Sequence, residues 1–115
     1  RRVKTVAELD EIVRQSNNQY LMVKFYADWC VSCKEMERFT LSDAQVQARL
    51  EDVMLLTIDV TEGNADDMAL LKRFNLFGPP GILFIDRQGN DIPDVRVIGF
   101  LNKNDFLAVL NAILI

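Results

Sequence analysis

Residues 25–34 read FYADWCVSCK, and they decide the fold because they join a buried strand to a helix through two cysteines. The preceding run, Tyr20–Tyr26, is short, mostly apolar and rich in aromatic residues, which is typical of a buried parallel strand. From Cys33 to Phe39 the apolar residues recur three and four positions apart, as on one face of a helix. The cysteines therefore lie where a strand passes into the N-terminus of a helix.

Cys30 and Cys33 are the only cysteines of the chain, and two residues separate them. A bridge across so short a loop constrains the unfolded chain very little, so we expect chemistry rather than stabilisation. Backbone N–H groups and the positive end of the helix dipole stabilise a thiolate at the helix start. Cys30 is therefore predicted to be the exposed attacking sulfur, and Cys33, one turn on, the shielded sulfur that resolves a mixed disulfide. The electrons reside on the sulfurs, so no cofactor is expected.

Two alternatives to a redox-active pair stay open at this point. In the first the cysteines are half of a zinc site, and in the second they are two ordinary buried thiols. Zinc usually takes four ligands, and the chain has no histidine and no second cysteine pair, so no metal is expected. A four-cysteine site shared across a dimer would still satisfy the metal.

Composition limits the remaining function classes. The chain has 115 residues, 50% of them hydrophobic and 26% charged, which predicts one globular domain over residues 1–115. The net charge is −4 and the basic residues are scattered, so no nucleic-acid partner is expected. The lack of histidine excludes His-dependent triads and His general bases. The isolated domain is expected to be a monomer.

No apolar run approaches the roughly 18 residues that predict a membrane-spanning helix. Residues Arg1–Lys4 have no apolar core behind them, so no signal peptide is expected. The chain is thus interpreted as either a cytosolic protein or an excised domain of a larger one.

Hydrophobic periodicity and capping residues predict five helices and four strands. The helices begin near Val6, Cys33, Ser42, Asn64 and Lys103, and the strands are Tyr20–Tyr26, Val53–Val60, Ile82–Ile85 and Val95–Ile98. Helical crossovers predict parallel pairing of the early strands, and the short link between the last two predicts an antiparallel hairpin. The expected fold class is α/β, with a mixed, mostly parallel sheet and helices on both faces.

This sequence resembles the thioredoxin superfamily over nearly its whole length. The resemblance rests on residues 25–34 and on residues 78–84, GPPGILF, which place a proline just before the third strand. More narrowly, residues 26–37, the segment Phe39–Asp43 and the closing Val97–Phe100 resemble the C-terminal domain of the DsbD family of bacterial inner-membrane reductases.

The resemblance implies a thioredoxin fold and a dithiol–disulfide oxidoreductase that acts as a reductant. It further implies that electrons come from a cysteine pair in a membrane-embedded domain and pass to a periplasmic N-terminal domain of the same protein. The chain would then be the excised C-terminal domain of a larger membrane protein, on the periplasmic face of the inner membrane. A free-standing thioredoxin-like reductase and a non-catalytic binding module are the alternatives.

The resemblance also places a substrate groove beside the cysteines, shaped by Pro80 and by the residue before it, Pro79. Trp29, Gly99 and Phe100 are further candidates for its border, although the aromatic residues also suit a core and Gly99 a strand-end turn. Pro80 matches the cis-proline of the family, although a trans turn proline fits the sequence equally well. The preceding residue in the family offers both its N–H and its C=O to a bound strand. Here that residue is Pro79, which has no N–H, so only its carbonyl is expected to bond.

Three charged residues are candidates for tuning the thiols. Lys24 occupies a position, six before the first cysteine, where the family often has a buried aspartate. Our hypothesis is that Glu37, one turn beyond Cys33, takes over that acid/base role and that Lys24 neutralises it. A solvated glutamate and an outward-pointing lysine are the alternative. Asp28 is a further candidate for an electrostatic influence on the thiols, or else a solvated loop residue.

Overall fold

The computed structural model describes residues 1–16 and 18–114. The prediction of one domain over residues 1–115 also takes in Asn17 and Ile115, which lie outside the described residues. The helices are α1 (Val6–Gln15), α2 (Val31–Glu35), α3 (Ala44–Arg49), α4 (Ala65–Arg73) and α5 (Lys103–Ile113). The strands are β1 (Leu21–Tyr26), β2 (Met54–Asp59), β3 (Gly81–Ile85) and β4 (Val97–Ile98).

One mixed sheet has the strand order β2-β1-β3-β4. β1 pairs in parallel with β2, whereas β3 pairs antiparallel with both β1 and β4. The mixed sheet and the β3–β4 hairpin are confirmed, but the prediction of a mostly parallel sheet is wrong. The chain leaves β2 at Asp59, opposite Tyr26, and enters β3 at Gly81, opposite Phe25. Because α4 and the segment after it return to the end of the sheet that the chain had left, β3 must run in the opposite direction.

Helices cover both faces of the sheet, as predicted. Successive side chains of β1 point to opposite faces, and each face is apolar and packs against helices. Leu21, Val23 and Phe25 belong to a core cluster that includes residues of α1 and α4. Met22 belongs to a second cluster with residues of α3 and α5. The sheet thus separates two hydrophobic layers, and the cysteines lie in the first of them.

Local capping explains where most of the helices begin. Asn64 accepts a hydrogen bond from the Asp67 N–H, and the Asp67 carboxylate accepts one from the Asn64 N–H, which completes a capping box. Asp43 and Asn102 cap α3 and α5 in the same way through their side-chain oxygens. These helix starts need no tertiary contact, which is why the sequence predicts them.

The helix after the cysteines changes its geometry midway. α2 ends at Glu35, and residues Met36–Leu41 continue as a π-helix. This segment holds the loop after β4: the buried Thr40 hydroxyl donates to the Leu101 carbonyl at 2.6 Å, and the Leu101 N–H donates to the Met36 sulfur at 3.2 Å. The π-helical segment therefore connects the cysteine helix to the loop that follows β4.

The last strand is shorter than predicted. Val95 was expected to open it, but Pro93–Val95 form a 3-10 helix and only Val97–Ile98 pair with β3. Pro93 has a fixed φ and no N–H to donate to a ladder, so it favours the turn.

Within the described ranges, none of the helices has the length and apolar character that crossing a bilayer requires.

Candidate active site

The cysteine pair lies at the start of α2, as the sequence predicts. Cys30 is the N-cap residue, and its sulfur accepts a hydrogen bond from the Cys33 N–H at 3.1 Å. The two residues form a disulfide, with their Cα atoms 5.3 Å apart. The predicted reach between the two sulfurs is therefore confirmed. An N–H donated to a sulfur at a helix start is an arrangement that stabilises a thiolate.

The predicted difference in exposure between the cysteines is not observed in this oxidised form. Cys30 is 6% exposed and Cys33 3%, so the prediction of an exposed Cys30 is wrong here. Both cysteines belong to one core cluster, whose apolar side chains cover the first sulfur as well as the second. The exposed surface belongs instead to the flanking Trp29 and Val31, which are 62% and 71% exposed.

The loops expected to form the groove meet beside β3. The Pro79–Pro80 peptide bond is cis, as the resemblance implies, and the Pro80 carbonyl accepts the Gly99 N–H at 3.2 Å. Gly99 has a φ of +82° and open space where a side chain would stand, and Phe100 is 44% exposed. These contacts bring Pro80 and Gly99 together, with Phe100 next in the chain and accessible.

Lys24 of β1 and Glu37 of the π-helical segment form an ion pair, with 2.5 Å between Nζ and Oε1. The Lys24 side chain is 20% exposed, so it is largely packed and not simply solvated. The next residue, Phe25, places its carbonyl oxygen 3.9 Å from the Cys33 sulfur. The pairing of Lys24 with Glu37 is thus formed, whereas the acid/base role of Glu37 at Cys33 stays a hypothesis.

Asp28 faces Tyr26 and the end of β2. Partial burial, and next a hydrogen bond to Asp28, raise the pKa of the Tyr26 phenol above its ordinary value. The backbone N–H of Asp28 donates to the Thr61 hydroxyl at 2.9 Å. The structure therefore shows contacts of Asp28 with Tyr26 and Thr61, and an influence on the thiols stays a prediction.

Thr61 and Asp59, which the sequence pattern did not predict as site residues, hold the segment before Cys30. Asp59 accepts hydrogen bonds from the Thr61 hydroxyl and from its N–H. The Thr61 hydroxyl is the main cause that lowers the pKa of Asp59, helped by Arg2, so this carboxylate stays ionised at neutral pH. The position of these residues in the sequence could have predicted the contact. Parallel strands end at the same edge of a sheet, so residues that follow β2 lie near residues that follow β1.

Across the described part of the chain, no group of three or more Cys, Asp or Glu side chains is placed to hold a metal ion. The structure offers two sulfurs at a helix start, and a cis-proline directly before the strand that pairs with β1. Such a fold and site define a dithiol–disulfide protein of the thioredoxin class.

Comparison with known proteins agrees with that class. A family model described as a thioredoxin-like domain matches residues 7–114. The thiol:disulfide interchange protein DsbD of Ralstonia nicotianae is 60% identical over 111 residues, which are 95% of this chain and 18% of that protein. DsbD of Escherichia coli K12 is 47% identical over 108 residues, 94% of this chain and 19% of that protein. The chain thus spans about a fifth of the length of these curated relatives.

Solved structures give the same result. The oxidised C-terminal domain of Neisseria meningitidis DsbD superimposes with a TM-score of 0.78 and 32% identity, covering 93% of this chain and 90% of that one. The thioredoxin of Fasciola hepatica has a TM-score of 0.75 at 18% identity, covering 98% of each chain, and shows the shared fold. The chain belongs to the thioredoxin-like domain family and, within it, to the C-terminal domains of DsbD.

Proposed function

We propose that this domain is a reductant that relays electrons from a cysteine pair in a membrane-embedded domain to a periplasmic partner domain. Thiol–disulfide exchange through the domain's own cysteine pair is the activity that its family and its CxxC pair define. The observation that carries the proposal is Cys30 at the helix start, with the Cys33 N–H donating to its sulfur. The direction of electron flow and the two partners are the proposed part.

The chemistry needs two sulfur displacements. In the reduced domain the Cys30 thiolate attacks a disulfide sulfur of the partner, forming a mixed disulfide and releasing the partner's other sulfur as a thiolate. Cys33 then loses its proton and attacks the Cys30 sulfur, which restores the intramolecular disulfide. Two electrons and, from solvent, two protons end on the partner's thiols. The donor's dithiol recharges the domain by the reverse sequence, so no external cofactor enters the exchange.

The surroundings of the two sulfurs support distinct roles. The Cys33 N–H and the start of α2 stabilise negative charge on Cys30. The Cys33 sulfur instead faces the Phe25 carbonyl at 3.9 Å, an acceptor suited to the protonated thiol of the reduced form. Cys30 is therefore proposed as the attacking sulfur, and Cys33 as the resolving sulfur.

We further propose that Trp29, the Pro79–Pro80 turn, Gly99 and Phe100 form the surface on which the partner docks. Trp29 and Phe100 are exposed, and the positive φ of Gly99 leaves space for a partner backbone. Pro79 offers a carbonyl but no N–H, so docking depends more on side-chain contacts than it does with another residue at that position.

The proposed setting is the periplasmic face of a bacterial inner membrane, with this chain as the C-terminal domain of a longer membrane protein. Its support is the similarity to DsbD proteins about five times as long as the matched region. The acceptor is proposed to be the N-terminal domain of that same protein.

Trapping the mixed disulfide tests this relay. In a Cys33→Ser variant the resolving sulfur is gone, so Cys30 is expected to stay covalently bound to a partner cysteine. Non-reducing gels and mass spectrometry of the adduct identify the partner, and the Cys30→Ser/Cys33→Ser double variant is the matched control. Adducts with a membrane-embedded cysteine pair and with a periplasmic domain support the proposal. Adducts confined to unrelated proteins favour a free-standing reductase, and no adduct favours a binding module.

The Glu37→Gln variant tests the proposed acid/base role of Glu37 at Cys33. Removing this carboxylate leaves the Lys24 ammonium without its ion-pair partner. An uncompensated positive charge favours the anionic form of a neighbouring thiol. In a Cys30→Ser background, the pH dependence of Cys33 alkylation is expected to change from that of the parent. Glu35→Gln, an exposed change on α2, is the control and should leave the profile in place. An unchanged profile for Glu37→Gln removes Glu37 from the mechanism.

A further inference from the structure

Thr61 lies two residues beyond the end of β2 and contacts both residues that precede Cys30. Its hydroxyl accepts the Asp28 N–H at 2.9 Å, and its carbonyl accepts the indole N–H of Trp29 at 3.2 Å. One residue therefore bonds to the backbone and to the side chain of the segment that leads into the attacking sulfur.

Thr61 is itself held in a defined orientation. Its hydroxyl donates to the Asp59 carboxylate, and its N–H donates to the same oxygen at 2.9 Å. Arg2 pairs with the other carboxylate oxygen at 3.4 Å. Because a hydroxyl carries one proton, donation to Asp59 leaves its lone pairs to accept the Asp28 N–H.

The segment before Cys30 has few other restraints. Ala27 is completely buried, and its carbonyl accepts the Cys30 N–H at 3.1 Å, so the two ends of the turn are anchored. Between them, Asp28 is exposed and Trp29 is 62% exposed. Packing alone does not orient so exposed an indole. The hydrogen bonds that Asp28 and Trp29 donate to Thr61 supply the orientation that burial does not.

We propose that Thr61 is a positioning residue for Cys30, an inference that rests on the proposed thiol–disulfide exchange. Its hydroxyl and carbonyl hold Asp28 and Trp29, so the indole forms a fixed wall beside the sulfur and the partner meets a pre-ordered surface. Thr61 does not touch the reacting atoms. It acts through the geometry of the turn that delivers Cys30 to the start of α2.

Two substitutions separate the hydroxyl from the shape of the side chain. Thr61→Val keeps the shape and removes the hydroxyl, whereas Thr61→Ser keeps the hydroxyl. Thr57→Val is the matched control, since Thr57 lies in β2 itself and its observed hydrogen bonds are made by the backbone. The readouts are kcat and KM for insulin reduction, the reaction rate of the reduced protein with 5,5′-dithiobis(2-nitrobenzoate), and tryptophan emission. Trp29 is the only tryptophan, so the emission reports this segment alone.

Thr61→Val keeps the carbonyl that accepts the Trp29 indole N–H but removes the hydroxyl that accepts the Asp28 N–H. With that N–H released, the backbone of Asp28 and Trp29 is expected to move, which shifts the Trp29 emission and lowers kcat/KM by about tenfold. Thr61→Ser and Thr57→Val are expected to stay within about twofold of the parent protein. Parent-like emission and rates for Thr61→Val overturn the inference, and so does a Thr61→Ser variant as impaired as Thr61→Val. A Cys30→Ser variant that still reduces insulin overturns the proposed function instead, and the emission of Thr61→Val then still decides the role of Thr61.

Discussion

Replacing Cys30 with serine is expected to abolish the reduction of insulin and of small disulfides, a loss of several orders of magnitude. A serine hydroxyl is not ionised at neutral pH and cannot form the mixed disulfide on which the exchange depends. The helix start and the Cys33 N–H that face position 30 would then have no thiolate to stabilise. The measurement is the initial rate of insulin reduction with dithiothreitol as the electron source, corrected for the rate without protein.

Ser32→Ala is the matched control for this variant, because residue 32 lies between the cysteines in α2 and carries no sulfur. It is expected to retain most of the activity. Cys33→Ser should differ from Cys30→Ser in kind, since it still reacts once with a disulfide and then stops. Full activity of Cys30→Ser would contradict the assignment of Cys30 as the attacking sulfur. A single turnover by Cys30→Ser would show that Cys33 attacks and Cys30 resolves.

Replacing Phe25 with alanine is expected to lower the free energy of unfolding by about 3–5 kcal/mol. Phe25 is 1% exposed in β1, between β2 and β3, and its ring packs edge to face on Phe74 with 5.8 Å between the centroids. The change removes that contact and leaves a cavity in the layer that contains the cysteines. Because domains of this size are stable by about 5–15 kcal/mol, the loss is a large share of the total.

Urea denaturation followed by circular dichroism measures this effect as a lower midpoint. Phe39→Ala is the control, since Phe39 is 54% exposed and lies in the π-helical segment away from that layer. It is expected to change the free energy of unfolding by less than about 1 kcal/mol. Equal effects of the two substitutions would contradict the placement of Phe25 in a close-packed core.

Much of the local structure follows from short-range patterns. The prediction for α1, Val6–Gln15, agrees with the observed helix, and Lys103 opens α5 as expected. The cysteine pair was predicted at the start of a helix, and there it lies. Capping hydrogen bonds and apolar periodicity involve residues three or four positions apart, so the sequence carries that information directly.

Other features depend on residues that are distant in the sequence. The direction of β3 follows from the path of α4 and the segment after it, and both a parallel and an antiparallel pairing suit the apolar pattern of Gly81–Ile85. The burial of Cys30 depends on the core layer that packs against the cysteine pair. The Lys24–Glu37 pair was anticipated as a hypothesis, but its formation requires β1 and the π-helical segment to meet.

By itself, then, the chain's order of residues determined the α/β class, the helix starts, the cysteine pair and the proline of the neighbouring turn. Only the tertiary structure decided the direction of β3, the π-helical geometry of Met36–Leu41 and the contact of Thr61 with Asp28 and Trp29. The physical reason is the sequence separation over which the interactions act. Backbone propensity and capping act within one helical turn, whereas Thr61 and Asp28 are 33 positions apart and meet only because β1 and β2 end side by side.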